Sequence, residues 1–228
     1  MFDVIYNFII QNKEILKIPY GFIICLICAI IFFKTDRLFK ISAHQGIRYF
    51  RNAFFFFSLA FLIRYIMGSN ILVPFIHENY FFVIKSTLEF FFVMAGFFLL
   101  YSLMWKDIGK GDHFVSSLFN PVISLFYLMT FLIIAIDYLW NTYFLMFISQ
   151  IIVFAIASAI SFNNYLKNRK GFPKFYFLAM ILTLTAWILN AIAALFEWNQ
   201  ILIINVSSIN ILIFLLFLWG VIKFTRGV

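Results

Sequence analysis

Charged residues are scarce in this chain, and cysteine and histidine are almost missing. Of 228 residues only 11% are charged, with nine acids against seventeen bases, while 65% are hydrophobic. A soluble globular domain carries about 25% charged residues. A water-soluble fold of this length could not hide so much apolar surface, so lipid is the expected solvent. The two cysteines form Cys25-Leu-Ile-Cys28 inside an apolar run, and no second pair exists. Thiol redox chemistry or zinc binding needs a polar, accessible setting, so both thiols read as small packing groups. His44, His77 and His113 all fall between apolar runs, which excludes haem held by histidines within spans. The last run has a lysine only at its end, Lys223, so a retinal Schiff base has no site. H-E-x-x-H, G-x-S-x-G and Walker patterns are missing, and no intramembrane aspartate pair points to a protease. No cofactor, metal or catalytic residue is expected, and the chain does not read as an enzyme.

What remains is an ordered pattern. Seven apolar stretches occupy about 15–33, 50–67, 81–105, 118–140, 143–162, 175–196 and 201–224. Each is close to the roughly 20 residues that one membrane-crossing helix needs. Thirteen of the seventeen bases lie in the gaps after stretches 1, 3, 5 and 7: Lys34, Arg37, Lys40, Arg48 and Arg51; Lys106 and Lys110; Lys167, Arg169, Lys170 and Lys174; Lys223 and Arg226. The other gaps hold none. Lysine and arginine mark cytoplasmic loops. The pattern therefore predicts an all-α, polytopic membrane protein in the cell membrane, with seven transmembrane helices, N-terminus outside and C-terminus inside. Insertion explains this basic charge, and no basic surface interleaved with aromatics appears, so nucleic acid is excluded as a partner. The lipid bilayer is the expected partner. Seven spans leave no room for a soluble domain, so 1–228 reads as one domain.

Before the first stretch, Phe2, Ile5, Phe8 and Ile9 recur at helical spacing, as in a short interfacial helix. This start lacks a basic region and a cleavage site, so it does not read as a signal peptide. Pro19 falls in the first turn of span 1, where proline is tolerated. A faint repeat is visible: Gly46-Ile-Arg-Tyr-Phe opens span 2, and Gly171-Phe-Pro-Lys-Phe opens span 6, 125 residues later. It suggests two parallel three-helix units, 15–105 and 143–224, joined by a linker helix 118–140.

Polar groups inside the membrane are costly and therefore informative. At 1.5 Å per helical residue, Arg64, Lys85 and Glu89 lie about 9, 10 and 5 Å outward of their midplanes. Lys85 and Glu89 share one face of span 3. Spans 2 and 3 neighbour each other, so one acid is expected between two bases. Gln150, Asn190, Asn205 and Ser208 also fall outward, and Trp187 lies near the middle of span 6. Together they outline a polar pocket in the outer half, open to a small-molecule ligand from outside. The competing view is that Arg64 and Lys85 snorkel to head groups and that the amides are glue between helices. Asp137 reads as interfacial.

The plan resembles seven-helix receptors, opsins and the seven-helix sensory regions of some prokaryotic kinases, in helix count and orientation. No D-R-Y closes span 3, where Tyr101-Ser-Leu-Met-Trp105 stands. Small-sugar carriers built as three plus one plus three helices are similar in plan too, although their Pro-Gln motifs are missing. Three readings follow. The first is a sensor that binds a small molecule or lipid outside and signals to a cytoplasmic protein partner through the basic loop from Lys34 to Arg51. The second is a small-solute transporter with Glu89 as proton or cation site and Arg64 or Lys85 holding an anionic group. The third is a membrane scaffold or lipid-handling protein.

Overall fold

The computed structural model describes residues 13–67, 78–108, 121–140, 142–167, 172–195 and 200–226. They form seven α-helices and no strand: α1 (Lys13–Ser42), α2 (Gln45–Met67), α3 (Glu78–Ile108), α4 (Pro121–Leu139), α5 (Phe144–Lys167), α6 (Phe172–Leu195) and α7 (Gln200–Arg226). Helices α2 to α6 are each long and apolar enough to cross a membrane. The expected interfacial helix before Lys13 and the turns around Gly109, Gly111 and Gly171 lie outside the described residues.

Six helices close a ring in the order α1, α2, α3, α5, α6, α7, with α7 packed back on α1. Helix α4 stands outside that ring and touches only α3 and α5 among packed neighbours. Its outer surface is apolar and exposed at Leu125, Leu128, Phe131 and Leu132. An apolar surface of that extent is unusual on a soluble monomer and suits a hydrocarbon solvent.

The ring is filled largely by phenylalanine. Phe54, Phe57 and Phe61 on α2 meet Phe214 of α7 at ring separations of 5.9, 5.7 and 5.2 Å. All three pairs are edge-on, an arrangement the ring quadrupole favours. The buried phenylalanines among the chain's 35 thus have a packing role. They supply rigid bulk where no polar group could be satisfied.

The segment from Lys34 to Arg51, read from sequence as a basic loop, is instead a helical hairpin. Helix α1 continues to Ser42, and α2 starts at Gln45. Only Ala43 and His44 turn the chain; Ala43 has φ 51° and its N–H donates to Phe39 O at 2.8 Å. The helix outlasts the apolar run because Thr35 and Leu38 extend its buried stripe beyond Ile31. Asp36 then ties the two helices: its carboxylate accepts from Arg51 across the hairpin and pairs with Lys40 at 2.9 Å. The Lys40 ammonium, helped by the Arg51 guanidinium, holds the Asp36 carboxyl below the usual carboxylate range. Pro19, expected in a first turn, lies inside α1, which already begins at Lys13. Pro121 opens α4, the position where its missing N–H is harmless.

Buried positions recur at one spacing in two helix pairs. On α1 and α5, Ile24, Ile27, Cys28, Ile31 and Thr35 are buried, and so is each residue 126 further on: Gln150, Val153, Phe154, Ala157 and Ser161. On α2 and α6, Phe50, Ala53, Phe57, Ala60 and Phe61 match Tyr176, Ala179, Thr183, Ala186 and Trp187 at that same spacing. The match is incomplete: Leu38 and Asn52 are buried, whereas Asn164 and Leu178 are exposed.

Candidate functional site

The predicted polar residues separate into three groups. Around the ring axis, Arg64 at the end of α2 donates to Asn190 Oδ1 of α6 at 3.4 Å. Asn190 in turn donates to Ala186 O at 2.8 Å, which fixes its amide. Both residues line a cavity of 30 Å³ together with Trp187, Thr183 and Asn210. That space suits one or two water molecules. Trp187 is held edge-on against Phe92 at 5.4 Å. Asn210, on α7, belongs to this group and completes its polar wall.

Glu89 and Lys85 do not line that cavity. Both sit on α3, where the charges acting on Glu89 are Asp137 and Lys85. Of the two expected bases, Lys85 acts on Glu89, and so does a second acid, Asp137. Lys85 Nζ lies 4.3 Å from the centre of the Tyr143 ring, a cation–π contact. Glu89 is buried, and its Oε1 has no hydrogen-bond partner. An unsatisfied buried carboxylate oxygen is expensive, which makes this position a place where a proton or cation would be stabilising.

Asp137, two residues before the end of α4, is fully buried in the protein. Its Oδ1 accepts from Leu145 N at 2.9 Å and Thr142 Oγ1 at 3.3 Å, and its Oδ2 from Met146 N at 2.8 Å. Leu145 and Met146 are the second and third residues of α5. Their N–H groups are those an N-cap side chain normally satisfies. Asp137 therefore caps α5 from the end of α4.

Gln150 serves packing between α3 and α5. A Cβ on Gly96 would stand 2.5 Å from Gln150 Oε1, so only glycine admits this side chain so close. Gln150 is fully buried, and neither end of its amide has a partner. Asn205 and Ser208 lie on α7, but their side chains fall outside the described residues.

A larger cavity lies at the other end of the bundle, by the α1–α2 hairpin. It measures 360 Å³ and reaches α1, α2, α3, α5, α6 and α7. Thr35, Ser102, Ser161 and Tyr176 face it from the helices, and the exposed Ser42 and Asn164 stand at its mouth. Sequence reasoning missed it because no charged residue marks it. A signal was present: Thr35 and Ser161 are hydroxyl residues, and Phe50 and Tyr176 aromatic ones, at the 126-residue spacing. Phe50 and Tyr176 line this cavity, whereas Phe217 lines the smaller one. Their three rings touch, at 5.9 Å for Phe50–Tyr176, 6.2 Å for Phe50–Phe217 and 5.8 Å for Tyr176–Phe217. The two cavities are thus separated by an aromatic plug.

Fold and site together describe an all-helical bundle with at least five helices suited to a bilayer and two cavities inside one ring. No family model matches the chain, and no solved structure matches it. A protein of Archaeoglobus fulgidus, named only as an uncharacterized protein, is 26% identical over 186 residues, covering 75% of each chain. The similarity extends over most of the bundle and carries no activity with it.

Proposed function

We propose that this chain is a seven-span small-solute transporter of the cell membrane, with its N-terminus outside and its two three-helix units, α1–α3 and α5–α7, rocking about α4. The alternating basic gaps support the orientation. The observation that carries the reading is the pairing of positions about the axis. Thr35 with Ser161 and Phe50 with Tyr176 line the large cavity. Phe57 with Thr183, Phe61 with Trp187 and Arg64 with Asn190 line the small one. A carrier made of parallel repeats places its pathway at the repeat interface in this way. The supporting register is 126 residues, one more than the glycines Gly46 and Gly171 suggested. In this arrangement the large cavity opens inward, the aromatic plug separates it from the small cavity, and the Arg64–Asn190 bond ties α2 to α6 beyond that plug. Glu89 is the proton or cation site.

The test is purified protein in liposomes loaded with a pH-sensitive dye and challenged with labelled sugars, amino acids and monocarboxylates. At least one class should enter with a change of internal pH, and Glu89→Gln should uncouple the two. Entry of none of these classes sinks the proposal.

The sensor reading keeps one specific support. The large cavity is lined by Thr35, Leu38, Ser42 and His44 of the α1–α2 hairpin. A molecule bound there would bear directly on the segment assigned to a cytoplasmic partner.

A further inference from the structure

We infer that the 360 Å³ cavity is a binding site for an uncharged molecule with an apolar body and one hydroxyl or amide group, held by Ser161. Its size falls in the range of small-molecule pockets, about 300–1,000 Å³. Among the described residues no aspartate, glutamate, lysine or arginine lines it, so a charged ligand would lose its hydration there without a counter-ion in the wall. Leu38, Ile47, Phe50, Leu103 and Val221 make most of the wall apolar.

The polar groups have divided roles. Thr35 Oγ1 donates to Ile31 O at 2.7 Å, Ser42 Oγ to Leu38 O at 2.9 Å, and Ser102 Oγ to Leu99 O at 2.6 Å. Each proton is committed to its own helix, and each oxygen keeps lone pairs that can accept. Ser161 differs. It is the counterpart of Thr35 on α5, it is 3% exposed, and its Oγ has no hydrogen-bond partner. A helical serine ordinarily bonds back to its own turn. One left without a partner in a cavity wall supplies a buried, uncommitted donor for a neutral ligand's oxygen. The site does not depend on transport: a ligand can bind here whether or not the bundle moves it.

The probe is 2-naphthol, with 2-naphthalenesulfonate as its charged analogue. Binding to the full chain in lipid nanodiscs is followed by saturation-transfer NMR and equilibrium dialysis, with empty nanodiscs subtracted. Saturable binding of 2-naphthol is expected. Ser161→Ala should weaken it about 3- to 10-fold, the range one hydrogen bond gives. Ile47→Trp, which fills the cavity from α2, should abolish it. The sulfonate should not saturate. Absence of saturable 2-naphthol binding, equal binding of the sulfonate, or unchanged affinity in both variants would each overturn the site. Solute flux in liposomes with no 2-naphthol binding would remove this site while leaving the transporter reading intact.

Discussion

Replacing Asp137 tests whether a buried acid at the end of α4 holds the start of α5. Its carboxylate receives two backbone N–H groups, from Leu145 at 2.9 Å and Met146 at 2.8 Å. Hydrogen bonds to a charged group contribute about 1.5–3 kcal/mol each. A conventional N-cap contributes about 1 kcal/mol, up to about 2. Asp137→Ala removes both bonds where water does not reach, so a loss of about 3 kcal/mol is expected. Part is returned, because Glu89 no longer faces a second acid. Asp137→Asn retains one accepting oxygen and should lose about half as much. The double variant Glu89→Gln with Asp137→Ala should be more destabilised than the sum of the two single ones, since each single variant already relieves the same repulsion and the double variant can gain that relief only once.

The assay is reversible unfolding in mixed micelles, read by circular dichroism. An acid at the interface, solvated by water and head groups, would cost under about 0.5 kcal/mol when removed, as ordinary surface positions do. A cost that small for Asp137→Ala refutes the capping role. A cost for Asp137→Asn equal to that of alanine refutes the reasoning differently, by showing that charge alone mattered.

Two further outcomes are expected. Because Lys40 and Arg51 hold the Asp36 carboxyl below its ordinary range, its contribution is present above the unfolded pKa of about 4 and is lost as pH falls through the lower folded value. The stability gap between the wild type and Asp36→Asn should therefore be full at pH 6 and close below about pH 4; a gap independent of pH removes Asp36 as its source. Phe217→Ala should join the two cavities by opening the plug. With Cys25 and Cys28 replaced by alanine, a cysteine introduced by Asn210→Cys should then react with a membrane-impermeant thiol reagent from the basic side, and should stay protected while Phe217 is present. Labelling at equal rates in the two backgrounds contradicts the plug.

Much of the helical plan was legible because charge and hydropathy are properties of segments. Seven apolar runs and the gaps between them anticipate the seven described helices, with errors at boundaries. Those errors share a cause: hydropathy sees apolar length, whereas a helix continues wherever its buried stripe continues. Thr35 and Leu38 carry α1 to Ser42, so a predicted loop became a hairpin. The site was less legible because partnership depends on which face a side chain takes. Arg64, Trp187 and Asn190 converge as depth alone suggested. Glu89 and Lys85 share their depth but lie beside Asp137 and Tyr143, and Gln150 turns into the Gly96 gap. The large cavity was invisible to a search for rare residues, since hydroxyl and apolar side chains are what any span contains.

If the proposed repeat holds, the 126-residue spacing ties together features that otherwise stand apart. Two parallel three-helix units cannot follow each other directly in a membrane, because three spans leave the chain on the wrong side to start again. One extra span must return it. Helix α4 has the properties of that connector: it lies outside the ring, exposes apolar side chains, and packs on α3 and α5, the helices it joins. A connector with no further role would leave the second unit free to slide along it. Asp137 opposes this, since its two backbone bonds require α5 to begin beside the end of α4. That height places Ser161 opposite Thr35 in the large cavity, while α6, packed on α5, brings Asn190 to Arg64 in the small one. The buried acid near the end of α4 thus adds to the packing of α5 on α3 and α6 in holding α5 at that height.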